Sequence, residues 1–419
     1  METDILLKSV RSKLGVEEGM RLPTTTVPLH SPDFYAGDPY PAYRELRNTT
    51  PVVWNDVTKF WALLKYEDIR YVSGHPLTFS STKGISIPDP AQPEPVQEGN
   101  LIFTDPPRHR QLRKLINSGF TRRQVQLLEP KVREIVHGIV DNIDPAKTQQ
   151  FAEDIASPLP TRLIAEMLGA PTEDWEKFRT WSDAAVGTAD PDIEMDHLVA
   201  LGELYEYFTK LIAARRSGEI SGQNDLLSIL AAAEVDGEQL SDADLLNFSF
   251  LLLVAGNETT RNLIALGTLA LIDHPDQFAL LRSNPAELLP CAVEEMLRFT
   301  SPVTHMARCA TEDVEIRGQQ IKAGDTVVML YGAANRDEEI FGPTSEDFDI
   351  TRNPNPHIAF GAGEHACLGA QLARLEARVF FEVLLGTYPS IELTGDVTRL
   401  RATMTPGVKS MPVRLGTSG

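Results

Sequence analysis

The ten residues "FGAGEHACLG", from Phe360 to Gly369, place a cysteine between a glycine-rich loop and a helix-like stretch. Apolar residues recur at helical spacing after it, which predicts a helix over 368–386. Cys367 would then lie at the start of that helix, where free backbone N–H groups and the helix dipole favour an anion. We therefore expect the pKa of its thiol to be lowered, as in a metal ligand or a nucleophile.

Four interpretations of Cys367 are open from these residues alone. A zinc site needs further ligands, and only His365 is close in sequence. A catalytic thiol needs a general base, which the sequence does not identify. A single thiolate suffices as the axial ligand of haem iron, and Gly361, Gly363 and Gly369 would let the backbone approach a flat group. An isolated cysteine can also simply be packed in the core.

Composition indicates an intracellular protein. The 419 residues include only three cysteines, and this low, odd number argues against a disulfide framework. No segment approaches the roughly 18 apolar residues that span a membrane, and the N-terminus lacks the apolar core of a secretory signal. We therefore expect a cytoplasmic location. The net charge of −20 disfavours nucleic acid and anionic membranes as partners.

The pattern of the chain is mainly helical. We predict helices at 108–119, 123–143, 160–168, 173–187, 193–217, 223–233, 241–273, 276–283, 286–299 and 368–386, with strands and turns at 52–65 and 314–336. We expect a single domain over 1–419, with an N-terminal extension at 1–30 and a β-rich lobe from about 50–75 and 305–335. The acidic, proline-rich stretch 86–100 is expected to be a loop.

The longest predicted helix has polar residues at its centre. Ser241 and Asp244 form a capping-box pattern at its start, and His274-Pro275 ends it. Its sides are apolar nearly all round, which predicts a path through the protein interior. The central "AGNETT", residues 255–260, places polar groups where burial is costly unless they are paired or used. We expect a functional role for this centre.

The segment "FGAGEHACLGAQLAR" resembles the haem-binding signature of the cytochrome P-450 family, with Phe360, Gly363, His365, Cys367 and Gly369 in register. Five such matches arise by chance at fewer than about one position in a million. Further segments match in the family's order, so the resemblance covers roughly residues 35–410. It implies a mainly α fold, with a helical body, a small β-rich lobe and haem b buried between two long helices. Cys367 would be the axial thiolate.

The resemblance also assigns residues around the haem. The expected cofactor-binding set is Cys367, His109, Arg113, Arg308, His365, Phe360, Gly361, Gly369, Ala255 and Gly256. Among these, three or four cations would neutralise the haem propionates. Glu295 and Arg298 resemble the family's ion pair behind the cysteine loop. Family members often carry an arginine just before the "FD" pair; this chain has Asp347 there, and Arg352 is the candidate to complete the network.

The centre of the long helix resembles the oxygen-activating segment of the family. Ala255 and Gly256 would leave room for dioxygen beside the iron. Glu258 and Thr259 match the family's acid–alcohol pair, in which the acid relays protons and the alcohol holds oxygen and water. These two residues are the expected catalytic groups.

The implied activity is hydroxylation of a hydrophobic small molecule with dioxygen and two electrons. The candidate substrate contacts are Leu252, Ala255, Val303, Thr304, His305, Met306 and Met404, with Thr304 and His305 as possible anchors for a hydroxyl or carboxylate. Bacterial members with similar segments suggest a sterol, terpenoid or branched lipid. The alternatives are a tailoring hydroxylase of a secondary metabolite, a peroxide-driven peroxygenase and a non-catalytic haem protein.

Electrons would come from a ferredoxin and an NAD(P)H-dependent ferredoxin reductase, since neither is fused to this chain. The segment Arg108–Arg123 contains six Arg or Lys residues and no acid. On the resemblance, it lies beside the thiolate face of the haem and suits an acidic ferredoxin. Taken alone, the same pattern favours a solvated helix face.

Overall fold

The computed structural model describes residues 22–90, 99–187, 189–219, 225–235 and 238–417. The predicted N-terminal extension and the loop at 86–100 therefore lie partly outside the described residues. The helices are α1 Pro32–Ala36, α2 Tyr40–Thr49, α3 Tyr66–Gly74, α4 Arg108–Asn117, α5 Arg122–Leu127, α6 Glu129–Val140, α7 Pro158–Met167, α8 Trp175–Val186, α9 His197–Arg216, α10 Leu226–Ala231, α11 Asp242–Asp273, α12 Pro275–Ser283, α13 Pro285–Thr300, α14 Tyr331–Ala334, α15 Glu338–Phe341 and α16 Ala370–Thr387.

The strands form one five-stranded sheet and several small ones. They are β1 Val52–Asn55, β2 Phe60–Leu63, β3 Phe79–Ser80, β4 Gln149–Gln150, β5 Glu234–Val235, β6 Glu238–Gln239, β7 His305–Ala310, β8 Val314–Ile316, β9 Gln319–Ile321, β10 Thr326–Leu330, β11 Ser390–Leu393, β12 Thr398–Arg399, β13 Val408–Ser410 and β14 Pro412–Gly416. The large sheet has the order β1-β2-β10-β7-β3, with β10 parallel to β2 and the other neighbours antiparallel.

This sheet confirms the predicted β-rich lobe, because it joins strands from both predicted segments. Val327 on β10 pairs with Trp61 on β2 and with Arg308 on β7. Arg308 therefore stands on a central region of the sheet, where its backbone is fixed on strands from distant parts of the chain. The rest of the described chain is predominantly helical.

The long helix α11 was predicted correctly at both ends. Ser241 accepts a hydrogen bond from the Asp244 backbone, and the Asp244 side chain accepts one from the Ser241 backbone, which completes the capping box. The helix ends before His274-Pro275, because proline disfavours a helical residue before it. Its 32 residues span about 48 Å, and most of its side chains are buried.

Two parts of the prediction were wrong. The single helix expected over 123–143 is two helices, α5 and α6, which meet at Leu128 just before Pro130. Proline is favoured in the first turn of a helix and disfavoured in its interior, and Pro130 stands in the first turn of α6. The region after α16 was not assigned any strands, yet it forms β11 to β14.

A large apolar cluster surrounds α11 and contains side chains of α6, α7, α8, α9, α13 and α16. Smaller clusters lie on the two faces of the five-stranded sheet. The sheet lobe and the helical body therefore have separate cores. Within the part of the chain that the structure describes, no helix combines the length and apolar character needed to cross a membrane.

Candidate active site

The loop before α16 is held in a tight conformation. The backbone N–H of Cys367 donates to the carbonyl of Phe360 at 2.8 Å, which closes the loop. Gly361 and Gly363 have φ angles of +69° and +68°, a region that glycine adopts without strain. A Cβ on Gly363 would lie 2.0 Å from the carbonyl oxygen of Ser73 in α3. Gly363 is therefore required for packing against α3.

Cys367 lies just before α16, as expected, but its pKa moves in the opposite direction to our prediction. Burial raises the pKa of the thiol, and the amides of Gly369 and Ala370 and the guanidinium groups of Arg113 and Arg374 only partly offset this. The helix start does favour the thiolate, but desolvation by the protein atoms packed around the sulfur outweighs it, although Cys367 has an exposed surface in this structure. A Cβ on Gly369 would lie 4.0 Å from the sulfur, at ordinary van der Waals distance.

A buried group of basic side chains lies beside the cysteine loop. Both ring nitrogens of His109 are buried and have no hydrogen-bond partner. The buried guanidinium of Arg308 donates to the carbonyl of Ala307, and no described acid lies within ion-pair distance of it. Buried polar groups normally have partners, and buried cations normally face anions. This donor set fits the two propionates of a haem whose iron Cys367 would hold.

His365 and Arg113 complete this group. The rings of His109 and His365 are 4.2 Å apart, and Arg113 donates to the carbonyl of Ala366, next to Cys367. Burial lowers the pKa of His365 to about 2, helped by the charges of Arg308, His109 and Arg113. Burial also lowers the pKa of His109. Both shifts favour the neutral imidazole, while the two arginines carry charge; the binding of haem propionates by these four groups stays a prediction.

The ion-pair network behind the loop includes Arg352. Arg298 donates to both oxygens of Glu295, at 2.7 and 2.8 Å. Arg352 Nε lies 3.2 Å from Glu295 Oε2, and its Nη2 donates to the carbonyl of Thr344 at 2.7 Å. Asp347 contributes its backbone carbonyl, which accepts a hydrogen bond from Arg298. Arg352 thus stands where the missing arginine was expected to act.

At the centre of α11, Ala255 and Gly256 point in different directions. Ala255 is exposed although it lies in the middle of a buried helix. A Cβ on Gly256, in contrast, would lie 2.7 Å from Cδ1 of Ile164 in α7. The absence of a side chain at Gly256 therefore allows α7 and α11 to pack closely. The expected role of Ala255 and Gly256 in leaving room for dioxygen stays a prediction, and Gly256 has this packing role besides.

The acid of the expected catalytic pair is engaged by a residue that the sequence analysis missed. Arg261 lies 2.6 Å from the buried Glu258 carboxylate and 2.7 Å from Asp183 on α8. Burial raises the pKa of Glu258, while Arg261 opposes the shift. Arg261 is three residues after Glu258, so helical spacing was the available signal for this pair. Asp183 was not identifiable from the sequence.

The alcohol of the pair is also positioned by the backbone. Thr259 Oγ1 donates a hydrogen bond to the carbonyl of Ala255 at 2.7 Å. Because its single proton is used in this way, the hydroxyl oxygen of Thr259 can only accept hydrogen bonds from other groups. Thr259 is thus arranged as an acceptor.

The candidate substrate residues lie in three segments, two of which the structure brings into contact. Thr304 Oγ1 donates to the carbonyl of Thr403 at 2.6 Å, and the Thr304 amide donates to the carbonyl of Met404 at 2.8 Å. His305 is buried; its Nδ1 lies 3.0 Å from Thr304 Oγ1 and its ring packs against Tyr35. Burial lowers the pKa of His305 to about 3, so it is neutral.

Thr304 and the Nδ1 of His305, the two expected polar anchors, therefore have partners within the protein, while His305 Nε2 is buried without a hydrogen bond. His305 alternates along β7 with Met306, whose side chain packs on the other face of the sheet together with Val303. Leu252 is buried on α11, and Met404 is half-buried. The remaining candidate contacts are apolar.

Comparisons with known proteins agree with this fold and site. The cytochrome P-450 family model matches residues 191–408. A methyl-branched lipid omega-hydroxylase of Mycobacterium tuberculosis is 38% identical over 94% of this chain and 95% of its own length. A steroid C26-monooxygenase of Rhodococcus jostii is 38% identical over 91% and 83%, respectively.

Solved structures give the same result. A Mycobacterium marinum cytochrome P-450 in complex with pseudoionone has a TM-score of 0.86 and 37% identity, covering 94% of this chain and 100% of that one. A Bacillus megaterium relative in complex with testosterone has a TM-score of 0.82 and 34% identity, covering 92% and 99%.

The fold and the site define a cytochrome P-450, and the predicted fold class is confirmed. The chain belongs to the cytochrome P-450 family, and it is an oxidoreductase of the monooxygenase type.

Proposed function

We propose that this protein is a haem-thiolate monooxygenase that hydroxylates a hydrophobic small molecule, with Cys367 as the axial ligand. The observation that carries this is the donor set around the cysteine loop. His109 has two buried ring nitrogens without a hydrogen bond, with only Glu364 Oε2 nearby at 4.0 Å from Nδ1, and Arg308 is a buried cation without an acid at ion-pair distance among the described residues. The Arg308 cation calls for an anionic partner and His109 for a hydrogen-bond partner beside the thiol, and a haem supplies both the iron and two carboxylates.

The protein's own residues would position the cofactor and the reactants. A bound haem supplies the activation of dioxygen for insertion of one oxygen atom into a C–H bond. Arg308, Arg113, His109 and His365 would hold its propionates. Phe360, Gly361 and Gly369 would shape the loop against its face.

Thr259 and Glu258 would manage protons on the opposite side. The Thr259 hydroxyl donates its own proton in a hydrogen bond to the Ala255 carbonyl, so its oxygen can accept a hydrogen bond from a protonated group and hold that group in place. Glu258 would pass protons inward. Its carboxylate is held by Arg261, which itself contacts the partly exposed Asp183, so this ion-pair chain leads from the site toward solvent.

We infer a lipid-like substrate, in the class of sterols, terpenoids or branched lipids. The relatives' names describe oxidation of a methyl-branched lipid and of a steroid. In this chain Leu252, Val303, Met306 and Met404 are apolar, while the neutral His305 cannot pair with a carboxylate by charge. An apolar wall without a free charge favours a neutral, hydrophobic substrate. A tailoring hydroxylase of a secondary metabolite is the alternative for the same pocket.

Electrons would come from a separate ferredoxin and its NAD(P)H-dependent reductase. Arg110, Arg113 and Lys114 line a surface groove of about 610 Å³ next to the cysteine loop. Arg110 is paired there with Glu364, but the face remains basic because Arg108, Arg122 and Arg123 adjoin it in sequence. The positive charge of this face would attract an acidic partner. A partner bound there would lie beside the cysteine loop.

The ligand assignment can be tested spectroscopically. The reduced, carbon monoxide-bound protein should have the red-shifted Soret band of thiolate-ligated haem, and Cys367→Ala should lose it. Cys309→Ala is the matched control, since this thiol lies on β7, away from the cysteine loop, with its Sγ 3.6 Å from the carbonyl oxygen of the neighbouring Ala310. A colourless purified protein, or a Cys367→Ala variant with an unchanged band, would refute the proposal.

The role of Thr259 needs a second experiment. Thr259→Ala should retain the thiolate spectrum but divert electrons from product into hydrogen peroxide. Thr268→Ala is the control, because Thr268 makes the same type of hydrogen bond, to Ile264, farther along α11. Unchanged coupling in Thr259→Ala would contradict the assigned role. Turnover with peroxide alone, as efficient as with the electron donors, would favour the peroxygenase alternative.

A further inference from the structure

Two adjacent carboxylates on α13, Glu294 and Glu295, bind different parts of the chain around the cysteine loop. Glu295 holds the earlier part, where it accepts hydrogen bonds from the Asp349 backbone, Arg352 and Asn355. Glu294 holds two later points, His357 and Arg374. These two residues lie on either side of Cys367, so Glu294 bridges the entry and the exit of the loop.

Both carboxylate oxygens of Glu294 accept hydrogen bonds. Arg374 donates to both of its oxygens, with Nε–Oε1 at 2.6 Å and Nη2–Oε2 at 2.8 Å. The Ala359 amide donates to His357 Nδ1 at 3.2 Å, so the proton of a neutral His357 is on Nε2, which donates to Glu294 at 3.0 Å. Although burial raises it, these hydrogen bonds lower the pKa of Glu294 to about 2.

The same arrangement places a cation on Phe360. The Arg374 guanidinium carbon lies 4.5 Å from the centre of the Phe360 ring, within cation–π range. The carbonyl of Phe360 accepts the hydrogen bond from the Cys367 amide. Glu294 therefore neutralises a cation that lies against the Phe360 ring, the residue whose carbonyl holds the Cys367 amide.

We propose that Glu294 and Arg374 are positioning residues that form a charge-compensated pair beside Cys367 and set the reduction potential of the thiolate-bound iron. This inference rests on the proposed function. Reduction of the iron adds one negative charge to the site, so a nearby cation favours the reduced form and a nearby anion opposes it. With both partners present the two effects largely cancel.

Reduction potentials of the haem-loaded variants test this directly. Glu294→Gln keeps the size and one hydrogen-bond acceptor but leaves Arg374 uncompensated, so the potential should rise. Arg374→Gln leaves Glu294 uncompensated, so the potential should fall. The double variant should return close to the parent, and Arg374→Lys should stay close to it because the charge is kept.

Opposite signs distinguish this role from a merely structural one. If the pair only supported the loop, both single variants would disturb Phe360 and shift the potential in the same direction. Arg378→Gln is the matched control: Arg378 is one turn further along α16, bonds to Glu129 and Glu382, and should leave the potential unchanged.

Shifts of the same sign, or no shift in either single variant, would overturn the inference while the reduced carbon monoxide spectrum stays intact. A parent protein without the thiolate spectrum would instead overturn the proposed function, and this inference with it. If Glu294→Gln does not fold, the comparison of Arg374→Gln with Arg374→Lys decides, because only the first removes charge.

Discussion

Gly256→Ala tests whether the glycine at the centre of α11 serves helix packing. The new Cβ would lie 2.7 Å from Cδ1 and 2.9 Å from Cγ1 of Ile164, closer than real Cβ contacts allow. Overpacking of this kind costs about 1–3 kcal/mol. Replacing a helical glycine by alanine returns about 1 kcal/mol. We therefore expect a net loss of roughly 0–2 kcal/mol in the free energy of unfolding.

A second substitution isolates the contact. Ile164→Val removes Cδ1, the nearest atom, at a cost of about 0.5–1.5 kcal/mol on its own. In the double variant the new methyl group occupies the vacated space, so the two losses should not add. We expect the pair to be more stable than additivity predicts by about 1–2 kcal/mol.

Urea unfolding at neutral pH, followed by circular dichroism, measures all four proteins of the cycle. Gly202→Ala is the control, because a Cβ there meets nothing within 4 Å on the helix α9. It should gain about 0.5–1 kcal/mol. Strict additivity of Gly256→Ala and Ile164→Val, or a Gly256→Ala variant as stabilised as the control, would refute the packing explanation.

Three further predictions concern stability. Burial raises the pKa of Glu376 from 4.5 to about 8, so the unfolded chain ionises first and stability falls between these pH values. Glu376→Gln should remove that loss, on the order of a few kcal/mol, in urea unfolding at several pH values. Gly363→Ala would set a Cβ against the Ser73 carbonyl at positive φ; it should lower the free energy of unfolding by at least about 2 kcal/mol, which thermal unfolding would detect as a lower melting temperature. Lys409→Met removes the 2.6 Å partner of the buried Asp190, whose pKa is lowered mainly by that lysine against burial. It should cost about 1–3 kcal/mol near pH 7, and the difference from the parent should vanish as acid protonates Asp190.

Local signals were sufficient for the features that depend on neighbouring residues. The capping box of Ser241 and Asp244 and the stop at Pro275 fix α11, because both act within one helical turn. The hairpin β8–β9 and the strand β10 follow from turn residues and alternation. Pro130 carried an equally local signal for the start of α6, which our prediction overlooked.

Local sequence signals predicted only part of the candidate site. The cysteine motif, His109, Arg113 and Arg308 could be located through short patterns and the family resemblance. The pKa of Cys367 could not, because its direction depends on burial, and burial depends on every element around the loop. The neutral state of His365 has the same origin.

The amino-acid order therefore fixed the cysteine loop, the long helix and the class of chemistry, since each rests on spacing within a few turns of chain. Tertiary structure alone decided that Gly256 faces Ile164, that Asp183 shares Arg261 with Glu258, and that Glu294 joins the two ends of the loop. Those contacts link residues tens of positions apart, and only the packing of α7, α8, α11, α13 and α16 around a common core brings them together.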